Sequence, residues 1–92
     1  MSVLQKYKKL QKKLERERML KKNMLDYYEF GVMIRKQNKQ QIHQSLKFGN
    51  RNDEAINHNL VITERLPNML RMIKIHKQSI RSIQNEMSQL VK

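Results

Sequence analysis

Residues 46–54 read Leu46-Lys47-Phe48-Gly49-Asn50-Arg51-Asn52-Asp53-Glu54, and this stretch decides how the chain is divided. Gly49 to Asp53 gather turn and cap formers immediately after Leu46 and Phe48. A glycine can end a helix in the left-handed conformation, and Asn50 or Asn52 can start the next helix by accepting a hydrogen bond from a free backbone N–H. One helix therefore ends here and another begins.

Towards the N-terminus, Ile42 and Leu46 carry a short apolar stripe, and before it Leu20, Met24, Tyr27, Phe30 and Ile34 recur at helical spacing. Gly31 lies inside that stripe with no other turn residue beside it, so it reads as a tolerated mid-helix glycine costing about 1 kcal/mol rather than a break. Further back, Val3, Tyr7, Leu10 and Leu14 share one helical face, and Ser2 is placed to cap it. Glu17 and Arg18 stand where this face should continue, so the face shifts or the helix turns there. Towards the C-terminus, Ile56, Leu60 and Thr63 lead to Pro67, which is expected to start or kink a helix. Leu70, Ile73, Lys77, Ile80, Ile83, Met87 and Leu90 then follow at coiled-coil spacing. The section from Asn68 to Lys92 is long enough to project beyond a small bundle. No segment alternates with period two, and the expectation is an all-α chain of three or four antiparallel helices.

The 92 residues include 20 Lys and Arg against 8 Asp and Glu, a net charge of +12, with 38% apolar residues and no Cys. That composition allows one small domain with a thin core, and with disulfides excluded the remaining support is a partner. The field of such a chain attracts acidic protein, nucleic acid or anionic lipid. Lys6, Lys8, Lys9, Lys12, Lys13, Arg16, Arg18, Lys21 and Lys22 against Glu15 and Glu17 give the N-terminal helix +7 and mark it as a docking surface. Lysines meet phosphates as point charges, and no zipper, finger or stacking platform accompanies these, so nucleic-acid contact would be contact with the backbone. The longest apolar runs fall far short of the ~18 residues of a membrane span, and no secretory signal or cleavable presequence is expected in a basic start interspersed with Glu.

Catalytic chemistry finds little support. His43, His58 and His76 include no pair three or four apart that would set two metal ligands on one helical face. Glu15 and Glu17 point away from each other on a helix, and Asp53 with Glu54 suit a helix start. No serine has a nucleophile-elbow context. The expectation is a protein that is not an enzyme and binds no metal, with its seven Met as adaptable packing residues.

Three segments carry a family resemblance. Val3-Leu4-Gln5-Lys6-Tyr7-Lys8-Lys9-Leu10-Gln11-Lys12 sets an apolar pair before Tyr and a base, then Leu and a base. Ile42-His43-Gln44-Ser45-Leu46-Lys47 is followed by Asn50, Arg51 and Asp53, and Ile56, Leu60, Arg65 and Leu70-Arg71 come after. These resemble, in turn, the opening, the second-helix ending and the third helix of the LYR-motif family, small basic proteins that mostly serve as mitochondrial accessory subunits or assembly factors. Lys6 stands where the family has the Leu of its triplet, and Leu46 where it has Phe.

The resemblance implies a small antiparallel three-helix bundle over residues 1–73, with residues 74–92 as a C-terminal helical extension. It implies a non-enzymatic adaptor on the matrix side of mitochondria, serving a respiratory complex or the mitochondrial ribosome. No cofactor would be bound directly. Instead the helices would accept the acyl-phosphopantetheine arm of an acyl carrier protein, whose buried chain would supplement a thin core by ~0.8 kcal/mol per CH₂. Tyr7, Lys8, Lys12 and Arg35 are then the expected docking residues, with Leu10, Ile42, Leu46 and Leu60 lining the acyl site. The Tyr7 ring can pack while its hydroxyl reaches a polar partner, and Lys8 and Lys12, four apart, share a face. Two other readings start from the same residues: a ribonucleoprotein subunit lying along RNA phosphates, and a structural subunit pairing through Leu70, Ile73, Ile80, Ile83, Met87 and Leu90.

Overall fold

A computed structural model describes residues 2–92 and holds two helices, α1 (Val3–Lys47) and α2 (Asp53–Leu90). The start of α1 is a reciprocal cap: the Ser2 hydroxyl accepts from the Gln5 backbone N–H at 3.2 Å, and the Gln5 side-chain oxygen accepts from the Ser2 N–H at 3.1 Å. At its end the Asn50 N–H donates to the Ser45 carbonyl at 2.8 Å and the Gly49 N–H to the Leu46 carbonyl at 3.0 Å. This is the paired closure that needs a left-handed residue, and Gly49 supplies it with φ of 76°. A Cβ there would meet nothing within 4 Å, so backbone freedom rather than space is the reason for glycine. Asn52 then caps α2 by accepting from the Ala55 N–H at 3.1 Å, while Asp53 and Glu54 complement the positive end of the helix.

The expected three-helix bundle with an extension is therefore corrected to two helices. The expected shift or turn at Glu17 and Arg18 does not interrupt α1, and Pro67 lies inside α2 instead of starting a helix. Pro67 is exposed, as is Thr63, whose carbonyl loses its helical N–H partner, so water can satisfy that carbonyl.

The chain packs as two units, each a pair of antiparallel helical segments. One comprises residues 2–24 with Arg71–Lys92, the other Leu25–Leu70. In the first, Tyr7, Leu10, Leu14, Glu17, Lys21 and Met24 turn inward on α1, and Ile73, His76, Ile80, Ile83, Met87 and Leu90 on α2. Both sets alternate steps of three and four, the seven-residue repeat of a coiled-coil seam. The C-terminal stripe is thus taken up within the chain, and residues 74–92 pack in the unit of the N-terminal helix rather than projecting as an extension.

The second unit keeps the same spacing, with Tyr28, Gly31, Arg35, Asn38, Ile42 and Ser45 facing inward from α1. Ala55, Ile62, Leu66 and Met69 do so from α2. Its seam is partly polar: Asn38 is buried and its Nδ2 donates to His58 Nδ1 at 3.2 Å, while the buried Asn59 Oδ1 has no protein partner. Gly31 sits under Leu66, where a Cβ would come within 3.0 Å of Leu66 Cδ2 and 3.8 Å of Ile62 Cγ2. Gly31→Val is accordingly expected to lower stability by about 1–3 kcal/mol through overpacking, against its better helix propensity. Urea denaturation of both proteins checks this, and equal midpoints would show that Leu66 can withdraw without cost.

Candidate docking surface

The charge of the molecule is divided very unequally between the two units. Residues 2–24 with Arg71–Lys92 hold fourteen Lys and Arg against three Glu, a net charge of +11, whereas Leu25–Leu70 hold six against five, a net +1. The positive field therefore originates almost wholly in the first unit.

That unit also carries a shallow groove between its two helical segments, with Leu10 and Leu90 as an apolar floor. Lys6, Lys9, Lys12, Lys13 and Arg16 line one side from α1, and Glu86 and Gln89 the other from α2. The seam residues of α1 run Leu10, Leu14, Glu17, and the cations Lys9, Lys13, Arg16 repeat that spacing one residue earlier, which sets them along one edge of the seam. Among the described residues none of the five cations forms an ion pair, so all remain available to an incoming anion. Next to the groove, a smaller hollow lined by Lys13, Arg16, Glu17, Ser79, Ser82 and Glu86 continues the polar margin.

Of the expected docking residues, Lys12 lies on the groove rim, and Lys8 is exposed outside it. Tyr7 is half-buried in the seam, and Arg35 is half-buried in the other unit. Leu10 contributes to the floor. Ile42 is half-buried, but Leu46 and Leu60 are each 58% exposed and line no interior of their unit. Lys6, Lys9, Lys13 and Arg16 are not among the expected docking residues, although the spacing of Lys9, Lys13 and Arg16 relative to Leu10, Leu14 and Glu17 is a signal in the sequence. Glu17 was read as an interruption of the stripe. It is instead a seam residue, 2.7 Å from His76 Nδ1 through its Oε2, with the two side chains 24% and 13% exposed.

Among the described residues no group of three His, Cys, Asp or Glu is placed to hold a metal ion, and no helix is long and apolar enough to cross a membrane. The fold defines an all-helical protein of two helices whose segments pair antiparallel within each unit, with a cationic groove in the first. No family model, curated protein or solved structure matches the chain.

Proposed function

We propose that this chain is a non-catalytic helical adaptor that docks an acidic protein along the groove of Lys6, Lys9, Lys12, Lys13 and Arg16. The observation that carries the reading is an apolar floor of Leu10 and Leu90 set inside a cationic rim. An amphipathic acidic segment matches both features, whereas nucleic-acid phosphates would use only the rim. The LYR-motif resemblance supplies a specific case, an acyl carrier protein in the mitochondrial matrix, with the adaptor serving a respiratory complex or the mitochondrial ribosome.

Stopped-flow association with purified acyl carrier protein, acylated and unacylated, tests this reading against a parallel titration with a structured RNA. The five cations and Glu86 give the groove a local charge of +4, and Lys9→Glu with Lys13→Glu brings it to zero. Removing steering of that size is expected to slow association about tenfold or more at low salt. Lys8→Glu with Lys12→Glu, which alters only one rim residue, is expected to slow it less. Tight RNA binding that is lost in the Lys9/Lys13 variant, with no binding of the acidic protein, would replace the adaptor reading with a ribonucleoprotein one. A smaller off-rate for the acylated carrier than for the unacylated form would identify the acyl chain as part of what is bound.

A further inference from the structure

We infer that the protein self-associates through α1 of the Leu25–Leu70 unit, with a second copy packed antiparallel about a two-fold axis near Phe30. Tyr27, Phe30 and Met33 are 65%, 58% and 46% exposed, and Ile34 is half-exposed beside them. At about 100° per residue these four side chains cover a sector of roughly 120° on α1, to the side of the seam. A contiguous aromatic and aliphatic surface of this kind marks an interaction face.

Charge identifies the occupant. A second copy cannot approach the +11 unit without strong repulsion, but this unit carries only +1. The charges beside the apolar sector are also arranged for self-pairing: Asp26 and Glu29 precede or adjoin Phe30, and Lys36 follows it. A two-fold interface repeats each contact in reverse. An antiparallel copy centred near Phe30 sets Tyr27 against Ile34 of the second copy and brings Lys36 of the second copy within one residue of the level of Asp26 and four residues, about 6 Å along the axis, of Glu29, twice over. A parallel copy would stack like charge on like charge. The inference is independent of the docking surface, because none of these residues lines the groove.

Analytical ultracentrifugation of the full chain across a concentration series is the test. The wild type is expected to show a monomer–dimer equilibrium, and Phe30→Asp to raise the dimer dissociation constant at least about tenfold with helicity unchanged by circular dichroism. Lys36→Glu should also weaken the dimer, and adding Glu29→Lys to it should restore association, since the swapped charges meet again across the axis. This rescue keeps the inference testable if Phe30→Asp perturbs folding. Orientation is read from Gln37→Cys in a chain that otherwise has no Cys. In the antiparallel dimer the two introduced thiols stand about 20 Å apart along the helices and cannot form a disulfide, whereas a parallel pair would oxidise readily. A monomer at every concentration, a dimer indifferent to Phe30→Asp, failure of the charge swap to restore association, or rapid disulfide formation at position 37 would each overturn the inference.

Discussion

Leu66→Ala is expected to lower the stability of the chain by about 2–5 kcal/mol, a large share of the roughly 5–15 kcal/mol that a domain of this size holds. Among the described residues Leu66 is the most buried hydrophobic one, at 5% exposed, of five such residues, Leu14, Ala55, Leu66, Ile73 and Ile83. Its Cδ2 lies over Gly31, the one seam position with no side chain to move into the space left behind. The cavity therefore persists, which places the loss towards the upper end of the range. Gly31→Ala added to Leu66→Ala should recover about 1 kcal/mol, because the added methyl gains helix propensity and now meets no Leu66 side chain. Urea denaturation followed by far-ultraviolet circular dichroism measures both, with free energies from linear extrapolation. A loss below about 1 kcal/mol for Leu66→Ala would mean that the two helices collapse onto each other to close the gap.

Replacing Glu17 and His76 together by Leu is expected to stabilise the protein by about 1–4 kcal/mol, even though it removes a 2.7 Å contact. Both side chains sit largely inside the seam, among neighbours such as Leu14 and Ile73 that are themselves buried, so ordering and desolvating two polar groups offsets much of what their attraction returns. Leucines at the same positions complete the apolar repeat. The single change His76→Leu should act in the opposite direction, by about 1–3 kcal/mol, since it strands the Glu17 carboxylate at a half-buried position without its partner. A double-mutant cycle on thermal and urea midpoints separates the terms. A double variant less stable than the wild type would show that the polar pair contributes more than well-packed leucines could.

Local chemistry was legible in the sequence because its partners are close along the chain. Ser2 with Gln5, Gly49 with Leu46, and Asn52 with Ala55 are each joined by hydrogen bonds spanning three residues, so residue type and spacing alone locate these helix ends. The all-α class and the basic N-terminal segment follow in the same way from period and charge. The number of helices did not, because the residues that keep α1 unbroken are explained by partners far away. Glu17 interrupts the apolar stripe until His76, 59 residues distant, meets it, and Pro67, expected to start or kink a helix, lies inside α2; Gly31 was legible as a mid-helix glycine, but its reason, Leu66 filling the space above it, was not.

The candidate surface divides along the same line. Composition established that the N-terminal helix is a cationic surface, and Leu10 was legible as an apolar position within it. Which of its nine Lys and Arg flank an apolar floor depended on α2 bringing Leu90, Glu86 and Gln89 alongside. Leu46 and Leu60 have apolar side chains that sequence reading turned inward, yet they fall off the seven-residue repeat and remain exposed, because each helix has only one opposing helix to pack against. The sequence by itself determined the caps at Ser2, Gly49 and Asn52 and where the charge lies, both being properties of near neighbours or of simple sums. Only the tertiary structure decided which side chains are inside and which cations form a rim, since burial and a groove exist only once two segments distant in the chain are packed together.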